Sequence, residues 1–187
     1  MSTNDDAMAL LLRPVRHAVN NLSMVLSANL DAALPKLPPG DRATAQVVRA
    51  RQAAEDYDRL IRGYFALGRH ETVKPMAAAR YLRDLLPLFV LAAGGPLPLE
   101  VEGEAMVEVR SPTLDAALVL AAAGASDRPP GERPALRISG ATVTFAWPIS
   151  DAAREALTAA GARVEAASAG ATGVTLPGPA AAVASSG

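Results

Sequence analysis

The sequence predicts a chain of two unlike parts: an antiparallel helical hairpin, then a domain in which short strands and helices form one mixed sheet with helices on one face. Three observations carry this. Apolar residues recur at spacings of three and four up to about Leu34, and again from about Asp41 to Gly68. The run Pro35-Lys36-Leu37-Pro38-Pro39-Gly40 separates the two stretches. From Leu97 onward the pattern changes to alternation of apolar and polar residues, the period of a half-buried strand.

The first helix carries a stripe of Val15, Ala18, Leu22, Val25 and Asn29, widened by Leu11, Leu12, Val19, Leu26 and Leu30. Asn4, Asp5 and Asp6 supply cap and first-turn acids, and Pro14 either kinks the helix or marks its true start. Asp41 caps the second helix, whose apolar positions are Val47, Ala50, Ala54, Tyr57, Ile61 and Tyr64. Arg49, Glu55, Asp56, Arg59 and Arg62 occupy its other side. One hairpin cannot cover stripes this wide. Two copies related by a twofold axis can, as a four-helix bundle, so a homodimer is expected.

A linker is expected around Arg69 to Pro75, followed by a helix from Met76 to Leu91 that Gly94-Gly95-Pro96 ends. Leu97, Leu99 and Val101 alternate with Pro98, Glu100 and Glu102, and Val107 and Val109 with Glu108 and Arg110, giving strands. Ser111-Pro112 reads as an N-cap followed by proline at the first helical position, opening an almost wholly apolar, buried helix that runs to Ala123. A loop rich in proline and charge spans Ala125 to Pro134. Ala135 to Ile138 and Thr142 to Trp147 read as strands turning at Gly140. Ser150 caps a helix stopped by Gly161, and Arg163 to Glu165 and Gly173 to Leu176 supply the last strands. The domain ranges that follow are 1–70 and 71–177, with 178–187 a disordered tail of small residues.

Composition narrows the function classes. Of the 187 residues 50% are apolar, but only three are Phe, three Tyr and one Trp, so the core must be built from Leu, Val and Ala. A net charge of −1 gives no reason to expect nucleic acid or an anionic membrane as partner. The chain has no cysteine, which excludes disulfides, thiol chemistry and Cys-ligated zinc, and its two histidines leave no all-His metal site within one chain. The acidic start Met1 to Asp6 is the opposite of a signal peptide. The longest apolar run, around Leu85 to Ala93, falls far short of the roughly 20 residues that span a bilayer. A cytoplasmic protein is expected.

The candidate chemistry lies on the first helix. His17 follows Val15 by two residues, about 200° round the helix, so it points away from the apolar stripe. Asn20 and Asn21, three and four residues further on, are expected to share its exposed face. An imidazole beside two amides on a rigid helix is a candidate nucleophile. Met24, seven residues after His17 and outside the stripe, offers a soft apolar contact for a docking partner. Arg13 and Arg16 flank His17 and are placed to steer an acidic partner surface. His70 reads as a helix-end residue without chemistry, and Phe145 and Trp147 as core.

His17-x-x-Asn20-Asn21 on a helix, then a helical hairpin, a linker and an α/β sandwich, resembles the core of two-component sensor histidine kinases. In that family a dimerisation and phosphotransfer hairpin precedes an ATP-binding domain. The likeness extends to Asp58 to Ile61 and on through Leu67-Gly68-Arg69, to Glu108 to Leu114, and to Val164 to Leu176. It stops where kinase chemistry resides. No asparagine follows Asn29, the second half has no Asp-x-Gly or Gly-x-Gly, the loop in the ATP-lid position is short, and the usually acidic residue after the histidine is Ala18. Without the metal-bridging amide and the close-approach glycines, nothing cradles the phosphates. The chain is therefore similar to the bacterial histidine phosphotransferases built on a kinase scaffold, of the cell-cycle phosphotransferase type. Those proteins keep the hairpin and a degenerate ATPase-like domain. The segment around His17 itself is nearer to kinase sequences.

The resemblance implies an α plus α/β fold: a hairpin forming a dimeric four-helix bundle, followed by a degenerate histidine-kinase-ATPase-like α/β sandwich. It implies that His17 relays a phosphoryl group between aspartates of response-regulator receiver domains. No cofactor is then needed, because Mg²⁺ resides in the partner receiver. Asn21 matches the position where some family members carry an amide or hydroxyl that aligns water for dephosphorylation. Two other readings stand beside this one: a pseudokinase-type interaction module that regulates a receiver or kinase without carrying phosphate, and an ATP-using kinase with divergent boxes.

Overall fold

The computed structural model describes residues 3–127, 134–167 and 170–179, with side chains in the first helix from Val15 onward. The chain divides into two compact units, Met1–Phe65 and Ala66–Gly187. The division falls at the end of the second helix, a few residues before the boundary read from the sequence.

The first unit consists of α1 (Thr3–Ala33) and α2 (Arg42–Ala66). Helix α1 runs through Pro14 without interruption, with Asn4, Asp5 and Asp6 inside its first turn. A 3₁₀ turn, Leu34–Lys36, carries the chain into the break. Gly40, at φ +82°, takes the left-handed conformation that reverses direction there. Asp41 starts α2: its carboxylate accepts the Arg42 N–H at 2.6 Å, and its carbonyl accepts Ala45 N–H at 3.1 Å. Thr44 Oγ1 donates to Pro38 O at 2.6 Å and ties the loop to the new helix. Arg51 Nε lies 2.9 Å from Asp31 Oδ1, fastening α2 to α1 as it returns.

The second unit holds α3 (Ala78–Ala92), α4 (Thr113–Ala123) and α5 (Asp151–Ala159) with seven strands in two sheets. The strands are β1 (Thr72–Ala77), β2 (Leu99–Glu102), β3 (Met106–Ser111), β4 (Leu136–Ser139), β5 (Thr142–Phe145), β6 (Arg163–Ala166) and β7 (Thr172–Thr175). The larger sheet has the order β2-β4-β5-β7-β6, parallel at β2–β4 and antiparallel elsewhere. The smaller one is the antiparallel pair β1–β3. A single mixed sheet is thus corrected to two. So is the linker: Thr72 to Pro75 is strand, and the following helix starts at Ala78 rather than Met76. Residues Thr72 to Pro75 are all exposed, so β1 lacks the apolar alternation that would have revealed it, and β3 supplies the buried Val107 and Val109 of the pair.

Helix α4 lies against both α3 and α5. Its start also differs from the sequence reading. Ser111 ends β3, Pro112 takes the cap position with no side-chain bond, and the Ser111 hydroxyl donates to Asp115 Oδ2. Ser150 does cap α5, accepting Ala153 N–H at 3.2 Å, and Gly161, at φ +86°, ends it. Leu136, Ile138, Val143, Phe145 and Val174 are fully buried on one face of the larger sheet. On its other face two rows run across the strands: Glu100, Arg137, Thr144, Gly173, Glu165, and Glu102, Ser139, Thr142, Thr175, Arg163. Those rows are polar throughout apart from Gly173, as expected for a sheet covered on one side. Trp147, 1% exposed, donates from Nε1 to Ala121 O at 2.9 Å and meets Phe145 edge-on at 5.4 Å between ring centres. Of the predicted tail, Gly178 and Pro179 have no regular structure and 180–187 lie outside the described residues, as do 128–133 of the Pro-rich loop.

Candidate functional site

The hairpin presents two contrasting sides, and its buried residues orient them. On α1 the side covered by α2 is marked by Ser23, 6% exposed. On α2 the covered side is marked by Ala54, 5% exposed. At about 100° per residue, Val15, Leu22 and Leu26 lie roughly 60–100° from Ser23 in one sense, and His17, Met24 and Asp31 roughly 80–120° in the other. On α2, Tyr57 and Tyr64 lie about 60–80° from Ala54 in the first sense, and Arg51 and Arg62 about 60–80° in the second. Because the helices are antiparallel, equal senses lead to the same side of the hairpin. The Arg51–Asp31 ion pair joins two residues of the second set and fixes the assignment.

The apolar side is open in the single chain. Leu22 is 70% exposed, Val25 54%, Tyr57 48% and Tyr64 58%, values far above those of core residues. The apolar positions of α2 therefore separate into two groups: Val47 and Ile61 are half-buried beside the buried Ala54, whereas Ala50, Tyr57 and Tyr64 are exposed. Ser23 Oγ is buried without a hydrogen-bond partner among the described residues. A small polar side chain, rather than leucine, occupies the line where α1 meets α2.

His17 is exposed on the opposite side, as are Asn21 and, at 65%, Met24. Asn20 is half-buried, which corrects its placement on the open face with His17: it lies about 60° from Ser23, toward α2. Arg16 is half-buried for the same reason, being one turn-step back toward α2. Arg13 lies in α1 with its side chain outside the described set. His70 stands four residues beyond the end of α2, exposed and in no regular element. By sequence Arg62 is one of several charged residues of α2. The structure adds that it lies on the His17 side, paired through Nε with Asp58 Oδ2 at 2.7 Å.

In the second unit the buried carboxylate of α4 is engaged within the domain. Asp115, 3% exposed, accepts from Tyr81 Oη at 2.7 Å and from the Ser111 hydroxyl. Burial, then the Asp115 charge and hydrogen bond, raise the Tyr81 hydroxyl far above the ordinary tyrosine range. Thr113 Oγ1 donates to Glu71 just before β1. Gly124, at the end of α4, is a packing glycine: a Cβ there would lie 3.1 Å from the Trp147 ring and 3.1 Å from Pro148 O. Among the described residues no group of three His, Asp or Glu side chains is placed to hold a metal ion, and no helix is long and apolar enough to cross a membrane.

Comparison with profiles of known protein families finds no match, and comparison with characterised proteins finds none either.

Proposed function

We propose that the chain is a histidine phosphotransferase acting through His17 as a homodimer. The observation that carries this reading is the placement of His17 on the side of the hairpin away from the exposed apolar face. A second copy seated on the apolar face would complete a four-helix bundle and leave both imidazoles open to a partner. The partner class is a receiver domain bearing an aspartyl phosphate. One neutral ring nitrogen attacks phosphorus, the N–P bond forms, and the acyl phosphate P–O bond breaks with its electron pair leaving on the aspartate carboxylate. The other ring nitrogen then releases its proton to solvent. The reverse step loads a second receiver. Mg²⁺ belongs to the receiver's acidic pocket, and this chain supplies nucleophile and docking surface.

The test is transfer of ³²P from receiver domains loaded with labelled acetyl phosphate. Wild type should take up label and His17→Gln should not, with helicity and mass unchanged, because Gln is a good helix former at an exposed position. Labelled Mg²⁺-ATP alone should give no incorporation, since the asparagine and glycine boxes are missing. Equal uptake by His17→Gln would end the reading. Binding of a receiver without label transfer would put the interaction module in its place, and labelling by ATP the divergent kinase.

A further inference from the structure

We infer that Arg62 is a second phosphoryl-binding residue, gripping the group carried on His17; this rests on the phosphotransfer reading above. On α1, His17, Met24 and Asp31 repeat every seven residues, so they form a line that drifts only about 20° per step. On α2, Arg51, Glu55, Asp58 and Arg62 follow at steps of four, three and four and stay within about 40° of one line. Two ion pairs along that line, Arg51–Glu55 at 3.3 Å and Arg62–Asp58 at 2.7 Å, show it as a physical ridge. The lines of the two helices meet where Arg51 pairs with Asp31 at 2.9 Å. From that point His17 lies 14 residues up α1, about 21 Å at 1.5 Å per residue, and Arg62 lies 11 residues along α2 in the same direction, about 16.5 Å. Along the axes the remaining offset is about 4–5 Å, and across the hairpin the two axes lie roughly 8–10 Å apart, the gap that Arg51 already bridges to Asp31 from the same ridge.

The chemistry of that neighbour is specific. The Arg62 side chain is 65% exposed, and its pairing with the 24% exposed Asp58 uses Nε. The Nη edge of the guanidinium is then the one available to meet phosphoryl oxygens, two N–H groups on two oxygens in the fork geometry that lysine cannot reproduce. Asp58 fixes the plane of the group in advance of the partner's arrival. Negative charge that accumulates on the equatorial oxygens during transfer is met by a cation already in place.

The experiment uses the full chain and a receiver domain loaded with ³²P-acetyl phosphate. Arg62→Gln should slow uptake by His17 about tenfold or more, the loss of a hydrogen-bonded charge contact, while molecular mass and helicity match wild type. Arg62→Lys should recover only part of the rate, and Arg49→Gln, a charge removed from the other side of α2, should leave it unchanged. An independent readout is the ¹⁵N–¹H signal of the Arg62 guanidinium, which should shift on phosphorylation of wild type and not in His17→Gln. Uptake at the wild-type rate by Arg62→Gln, or an equal loss with Arg49→Gln, overturns the inference and leaves the phosphotransfer reading standing. Absence of uptake by wild type from every receiver overturns both.

Discussion

Tyr81, Asp115 and Ser111 form a buried polar cluster that shows how a single residue adjusts an otherwise apolar helix. Asp115 sits in the first turn of α4 with the buried Leu114, Ala117 and Leu118 around it in sequence, and its two oxygens are satisfied by hydroxyls from α3 and from the end of β3. A hydrogen bond to a charged group contributes about 1.5–3 kcal/mol, so Tyr81→Phe should lower unfolding stability by that order. The pH dependence has a definite sign. Tyrosine in the unfolded chain ionises at about 10, whereas Tyr81 in the folded chain is held neutral well above that. Its contribution is therefore complete below about pH 10 and declines as pH rises further, because only the unfolded state releases the proton. Urea midpoints measured from pH 8 to 11 should fall above pH 10, and the Tyr81→Phe protein should show a shallower fall.

At the scale of elements, α4 and the strand leading to Trp147 are held by contact rather than by a binding site. Gly124 permits the approach: added atoms there meet the indole ring and a backbone carbonyl, neither of which is a flexible chain end. Gly124→Ala should cost about 1–3 kcal/mol, read as a lowered thermal midpoint with reduced near-ultraviolet ellipticity of the single tryptophan. An unchanged midpoint would mean that the loop after α4 yields without strain. Helix α2 makes a different use of its length. It divides its surface into a side against α1, an apolar side with Tyr57 and Tyr64, and the charged ridge ending at Arg62.

For the whole molecule the proposed dimer rests on the open apolar face of the hairpin. Leu22, Val25, Leu26, Tyr57 and Tyr64 each keep 46–70% of their surface exposed, and a cluster of exposed large apolar side chains marks an interaction surface. Sedimentation at micromolar concentration should give twice the chain mass. Leu22→Glu places an unpaired charge on that face and should weaken self-association by at least about a hundredfold, roughly 3 kcal/mol, while each hairpin keeps its helicity because position 22 does not face α2. A monomeric wild type would remove the bundle from the proposal.

Local signals carried much of the architecture. The Pro-rich break after Leu34, Asp41 before α2, Gly140 between β4 and β5, and Ser150 and Gly161 around α5 are all written in neighbouring residues, because turns and caps are satisfied within a few positions. The placement of His17 away from Val15 and Leu22 was likewise legible, since it follows from helical period. Tertiary structure decided the rest. β1 is a strand because β3 lies beside it, although its own residues are exposed, and β3 leaves β2 for that partner. Asn20 and Arg16 turn half-buried, and Ser23 buried, because α2 covers the edge of the stripe that holds Val19 and Leu30, both half-buried, and leaves Leu22, Val25 and Leu26 open. Periodicity says which residues share a face of one element. Which face another element covers is set by long-range packing, where a serine can be buried and a leucine left open.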